Sequence, residues 1–191
     1  MPGLCAVAAV SDDPDFDVAA DEVLHHEGGF VDDPADPGGA TNWGVSLRFA
    51  RAQGASIDFD IDHDGDVDVD DIRAMPRETA IEAYRVDWWN RYGFNRFRLP
   101  RPVAVKTFDT AINMGPRRAI RILQECCTDQ GQPVAEDGIL GAQTVDAAAA
   151  CDAMALLADY RRRQAALYEL IARNNPGQRR FLNGWLARAA S

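Results

Sequence analysis

The stretch Glu27-Gly28-Gly29-Phe30, continued by Asp36-Pro37-Gly38-Gly39-Ala40-Thr41-Asn42-Trp43-Gly44, governs how the rest of the chain is read. A helix predicted over residues 17–27 ends at the glycine pair, because glycine takes the backbone angles that close a helix. Asp15 or Asp17 caps its start, and Val18, Val23, Leu24 and His26 form its buried side. Residues 30–45 carry too many glycines and prolines for a helix and read as turns with at most a small β-hairpin. Helix, turn and loop then bring Glu27, Asp36 and Thr41 around one cleft. This equipment suits a glycosidic bond, with one carboxyl kept protonated as general acid and another group handling water or the sugar cation.

Outward from this stretch the pattern is helical. Ser46 caps Leu47 to Gln53, and Pro76 opens a helix with Glu78 in its first turn that runs through Ile81, Tyr84, Trp88 and Trp89 to Tyr92. Pro100 and Pro102 start another through Val105, Phe108, Ala111 and Ile112, ending at Gly115. Residues 117–127, 141–150, 153–173 and 176–189 complete the helices, and Glu136 to Thr144 forms a tight turn feeding one of them. The expected fold class is mainly α, a lysozyme-like helical fold with at most a small β-hairpin, plus one EF-hand-like metal loop. The expected organisation is a tail at 1–14, a lysozyme-like region at 15–115 with a metal-binding loop at 58–71, and a C-terminal helical region at 116–191 packed on it.

With 191 residues and 47% hydrophobic content, the chain can bury one good core, as a single domain or two small lobes. No apolar run approaches the roughly 18–20 residues that span a membrane. The first ten residues lack a basic region and their apolar run is short, so no Sec signal is expected. Four cysteines, with Cys126 and Cys127 adjacent, make no disulfide framework and suit synthesis in a reducing compartment. The net charge of −10 is uneven: residues 58–71 hold eight acids and no base, and outside them 22 acids face 20 bases. A sustained basic stripe is missing apart from Arg161-Arg162-Arg163, which a helix splays around its surface, so nucleic acid is excluded as a partner.

The acidic stretch fits a twelve-residue calcium loop. Asp60, Asp62 and Asp64 fall at positions 1, 3 and 5, and Gly65 at position 6, where the sharp turn needs glycine. Asp66 at 7 offers its carbonyl, Asp68 at 9 a direct or water-mediated contact, and Asp71 at 12 the closing carboxylate, with Val67 packing inward. A calcium ion in a structural role is expected, and magnesium competes because Asp at position 12 reaches less far than Glu. A solvated acidic linker is the bland reading, opposed by the mutual repulsion of so many acids without a counter-ion.

For the site itself, Glu27 is the expected acid, its carboxyl raised by burial at a helix end beside Phe30 and other aromatics. Asp36 positions water or stabilises the cation, or else only forms a turn. Thr41 holds water or bonds the backbone. Asn42 is a candidate substrate contact. Trp88 and Trp89 point about 100° apart on a helix, so one of them, taken as Trp88, lines a sugar-binding groove. Asp109 and Asn113 lie on one helical face and either touch substrate or make structural hydrogen bonds.

The blocks Glu27 to Phe30, Asp36 to Gly44, Tyr84-x-x-x-Trp88-Trp89 and Phe108-Asp109-Thr110-Ala111-Ile112-Asn113-Met114-Gly115 resemble glycoside hydrolase family 108, bacterial and phage N-acetylmuramidases. Ala119-Ile120-x-x-Leu123-Gln124 and Asp137-Gly138-Ile139-Leu140-Gly141 resemble the peptidoglycan-binding segment that follows that region. The resemblance implies an endolysin-like, prophage-type enzyme with Glu27 as its catalytic glutamate and peptidoglycan as its partner. The chain is also similar to phage-type lysozymes in the nine-residue step from Glu27 to Asp36, although Thr41 follows one position early. This implies a monomer made in the cytoplasm and acting at the cell wall or periplasm, with a holin-type partner for release. Two other readings stay open: a lytic transglycosylase, and a non-catalytic calcium-dependent wall-binding or secretion-associated protein.

Overall fold

A computed structural model describes residues 13–32, 38–52 and 57–191. The fold is mainly helical, with one two-stranded sheet. Helix α1, Pro14–Glu27, begins earlier than the sequence suggests: Asp13 is its N-cap, accepting the Asp15 and Phe16 amides, and Pro14 opens it. Gly28, at φ 71°, closes it. The buried face of α1 is Phe16, Ala19, Ala20, Val23 and Leu24; Val18 lies outside it, 44% exposed.

Strands β1, Thr41–Asn42, and β2, Val45–Ser46, pair antiparallel, with Asn42 opposite Val45. Their two-residue connection, Trp43 and Gly44, has positive φ at both positions (51° and 79°). That is the turn whose twist matches paired strands, and a bulky aromatic at its first position is uncommon. Helix α2, Leu47–Ala52, follows directly. Beyond the acidic loop come α3, Val69–Ala74, and α4, Arg77–Tyr84, which continues as a π-helical segment over Arg85–Asn90.

Helix α5, Arg101–Met114, is the central element, with Val103, Ala104 and every residue from Lys106 to Ala111 buried. Such a helix, apolar or internally paired on nearly all sides, needs neighbours around it. They are α1, α6 (Pro116–Asp129) and α8 (Ala153–Asn174). Helices α7, Ala142–Ala150, and α9, Leu182–Ala190, complete the body, the latter entered through a 3-10 turn at Pro176–Phe181.

Two cores result. The larger centres on Phe16, Trp89, Phe94 and Phe108, whose rings meet edge-on or stacked at 5.1–6.2 Å. The smaller holds Ala40, Val45, Phe59, Ile72, Met75 and Ala80 beneath the hairpin and acidic loop. Trp43 packs against both, so the hairpin turn is the hinge piece between them. The Asp137-Gly138 turn is structural: Gln124 of α6 donates to Asp137 and accepts from the Gly138 amide. Gly138 has φ 72°, and a Cβ there would stand 2.5 Å from the Arg117 carbonyl. No described helix is long and apolar enough to cross a membrane.

Candidate active site

Glu27 is the last residue of α1, and the helix end places its carboxylate at the wall of a cleft of about 630 Å³. Gly44 and Ser46 of the hairpin, Tyr84 of α4, Trp88 of the π-helical segment and Asn113 of α5 also line the cleft. Among the described residues Glu27 is the one carboxylate in this lining.

Apolar and aromatic side chains line the cleft, but the direct partner of Glu27 is a cation. Its Oε1 accepts from Arg188 Nη1 at 2.9 Å, and its side chain is 22% exposed. Arg188 comes from α9, 161 residues away in sequence. Phe30 lies elsewhere, beneath the Arg73 guanidinium in the smaller core. The same Arg188 donates through Nε to Asp109 Oδ1 at 2.9 Å, with Nη2 at 2.8 Å from that oxygen. One buried guanidinium therefore bridges two carboxylates, a partially exposed one facing the cleft and a fully buried one behind it.

Asp109 is thus a support from behind. Wholly buried, it offers no surface to a substrate, which corrects the expectation that it shares a substrate-facing role with Asn113. Lys106 Nζ lies 3.9 Å from its other oxygen and donates to the Arg188 carbonyl. Desolvation brings the Lys106 ammonium down to about 8 despite Asp109. Asn113, one turn further on α5, is exposed in the cleft and accepts from the Tyr168 hydroxyl at 2.7 Å.

Gly44 is the tightest contact of the site. A Cβ there would lie 2.1 Å from the Tyr84 hydroxyl and 2.9 Å from Glu27 Cγ, so this backbone presses directly on both side chains. The Tyr84 hydroxyl donates to the Trp43 carbonyl at 2.9 Å. Burial, reinforced by the Glu27 charge, pushes the Tyr84 phenol far above its ordinary value and keeps it a neutral donor. The glycine pair at 28–29, by contrast, meets nothing and leaves the approach to the end of α1 open.

Thr41 and Asn42 do not reach the cleft. Thr41 exchanges two backbone hydrogen bonds with Val31 at 2.8 Å, and its hydroxyl donates to the Gly39 carbonyl at 3.4 Å. Asn42, expected to touch substrate, is buried and donates to the Ile72 carbonyl of α3 at 2.9 Å, an anchor for the hairpin. Asp36 lies outside the described residues. Trp88 is half-buried in the cleft wall, whereas Trp89 is core, its indole N–H donating to Asp13 at 2.9 Å. Sequence reasoning missed Arg188. The available signal is that it is the lone charge in the apolar segment Leu182–Ala190.

The acidic loop curls on itself through its own amides. Asp60 accepts from the Asp64 and Gly65 amides, and Gly65 takes φ 102°. Asp62 accepts from Asp64, Asp64 from Asp66, and Asp68 from Asp70. Asp71 is buried and accepts from Ile61 at 2.7 Å, Asp62 at 3.3 Å and Asp68 at 2.7 Å. Burial alone raises the Asp71 carboxyl, but these amides outweigh it and leave the group below the usual carboxylate range. Asp66 is raised, first by the charge of Asp64. Two trios, Asp60-Asp62-Asp71 and Asp66-Asp68-Asp71, each gather carboxylate oxygens within 4.8 Å. This all-oxygen donor set fits a hard divalent cation.

Comparison with known proteins agrees with the geometry. The family Glycosyl hydrolase 108 matches residues 20–115, and the family described as Predicted Peptidoglycan domain matches residues 118–190. Among solved structures, Brucella abortus SagA is similar to this chain at 28% identity and a TM-score of 0.62, over 92% of this chain and 93% of that one. No curated protein matches.

Proposed function

The chain belongs to the glycosyl hydrolase 108 family, a glycoside hydrolase acting on peptidoglycan, and from that premise we propose that it is an N-acetylmuramidase with Glu27 as general acid. The bond cleaved is the β-1,4 linkage between N-acetylmuramic acid and N-acetylglucosamine. The observation that carries this reading is the Glu27 carboxylate at the wall of a glycine- and aromatic-lined cleft, within the part of the chain that matches the glycosyl hydrolase 108 family.

In this mechanism a glycan strand lies along the cleft with a sugar ring against Trp88 and polar contacts to Asn113. In this reading the Glu27 carboxyl faces the glycosidic oxygen and acts as the proton donor. Glu27 then protonates the glycosidic oxygen as the bond from that oxygen to the anomeric carbon breaks. Water adds to the anomeric carbon and loses its proton to Asp36, the second carboxylate of the proposal. Gly44 and Tyr84 fix where the Glu27 side chain stands. The loop at 60–71 would hold calcium as a structural clip through Asp60, Asp62, Asp64, Asp66, Asp68 and Asp71, whose mutual repulsion a bound divalent cation would relieve.

A lytic transglycosylase is the second reading, favoured by Glu27 being the one carboxylate lining the cleft among the described residues. Mass spectrometry of digested sacculi separates the two: reducing ends support the hydrolase, and 1,6-anhydro ends overturn it. Glu27→Gln is expected to slow clearing of purified sacculi by about 10²–10⁴-fold, the usual share of general-acid catalysis. Unchanged clearing would remove Glu27 from the chemistry.

A further inference from the structure

A second concavity, about 1050 Å³, lies between α6 and α8 and has no part in the chemistry above. Its lining carries Arg117, Arg118 and Arg121 from α6 and Arg163 from α8 against the single acid Glu125, net +3 in a chain of net −10. Arg163 is engaged by Glu125 at 2.9 Å and by Asp129. Arg117, Arg118 and Arg121 are exposed and form no ion pair with the described residues; Arg121 spends only Nε, on the Glu136 carbonyl at 3.1 Å. Leu167 and the 47%-exposed Leu170 give the groove an apolar side.

The groove neighbours the cleft at two points. Met114 follows Asn113 directly, the first lining the groove and the second the cleft. Tyr92 of the groove lies 6.0 Å, ring to ring, from Trp88 of the cleft. The two concavities thus lie side by side along the end of α5.

We propose that this groove binds the peptide stem of peptidoglycan, a reading that rests on the muramidase assignment for the neighbouring cleft. The stem is the anionic branch carried by the muramic acid sugar. Its free carboxylates suit guanidinium groups, which hold carboxylates by paired N–H donors, and its alanine methyls suit Leu167 and Leu170. A purely neutral glycan has no use for Arg118 and Arg121, both exposed and in no ion pair with the described residues.

The test uses the full-length chain with a soluble, glycan-free stem tetrapeptide as probe, binding followed by calorimetry, beside the charge-reversal variant Arg118→Glu/Arg121→Glu. Both positions are exposed, and circular dichroism of the variant checks that the fold is kept. The variant is expected to weaken tetrapeptide binding at least about tenfold, while its cleavage of peptide-stripped glycan strands stays within about twofold of the parent. Equal binding by parent and variant, or no binding by the parent, overturns the groove. A wall teichoic acid that binds the parent and displaces the peptide would also overturn it, in favour of a phosphate polymer. If the tetrapeptide behaves as expected but the parent releases no reducing ends from sacculi, the groove stands and the muramidase reading falls.

Discussion

Two clusters of carboxylates in this molecule are settled in opposite ways. At the cleft, Glu27 and Asp109 share one guanidinium brought from the far end of the chain, with Lys106 behind them. In the loop at 58–71, eight acids have no base within the segment, and backbone amides are the main partners they find. The first cluster is closed by the protein's own cations and is part of the core. The second is closed locally and leaves charge for an outside cation to neutralise. Long-range cations fix a carboxylate's position, whereas a local loop can only collect carboxylates around a space.

The sharpest way to break the first arrangement is Arg188→Ala. It strands the buried Asp109 charge and frees Glu27, and loss of one partner of a buried pair costs about 3–5 kcal/mol. Urea unfolding should show a clear fall in midpoint. Replacing both partners, Arg188→Met with Asp109→Leu, should recover part of that stability because the buried Asp109 charge is removed with its partner, while Glu27 and Lys106 still lose theirs. Sacculus clearing by the double variant should stay impaired if Arg188 also sets where Glu27 stands.

The loop makes the converse prediction. Calcium at a hundred times its dissociation constant should stabilise the fold by about 2.7 kcal/mol. For a chain of this size each kcal/mol is worth about 2–4 °C. A chelator should therefore lower the melting temperature by roughly 5–10 °C, and Asp71→Ala should remove the response. A melting temperature indifferent to chelator would rule out tight binding and leave the loop held by its own amides alone.

Lys106 distinguishes the two clusters by pH. Its ammonium is brought down to about 8 in the folded protein by burial, against about 10.4 in an unfolded chain. Between those values the unfolded state binds more protons, so stability should rise as pH increases from 8 toward 10.4, by on the order of 2 kcal/mol. Lys106→Met should flatten that rise. Calcium should not affect it, since Lys106 belongs to α5 and not to the loop.

Most of the helices were legible because their boundaries are written in prolines, glycines and capping residues: Gly28, Pro76, Gly115 and Gly141 all stand where elements begin or end. The start of α1 was less legible, because Asp13, Asp15 and Asp17 are equivalent caps until Trp89 and the Asp15 and Phe16 amides select Asp13. Glu27 and Trp88 stood out through local motif and spacing, and the helical divergence of Trp88 and Trp89 separated wall from core. Arg188 did not stand out, since its role depends on α9 folding back across α8 onto α5, a tertiary event no local pattern encodes. Asn42 was misread and Asp109 left undecided for the same reason: a polar residue beside a cleft and one behind it look alike until burial is known.

Asn42 also connects the two clusters. Its amide holds the Ile72 carbonyl in α3, the helix that Asp68 caps and Asp71 belongs to, and two residues on Gly44 presses against Glu27 and Tyr84. An ordered loop thus steadies α3, α3 steadies the hairpin, and the hairpin limits where Glu27 can stand. Asn42→Ala removes that link and leaves a buried carbonyl without its donor, at a cost of about 1 kcal/mol. The decisive readout is the effect of calcium on clearing rate. If the link carries the coupling, the parent enzyme should lose activity on chelation at a temperature where it stays folded, and the Asn42→Ala variant should show a smaller difference with and without chelator. Equal chelator sensitivity in both would mean that the loop acts on global stability alone and that the cleft is positioned by Arg188 and Gly44 without it.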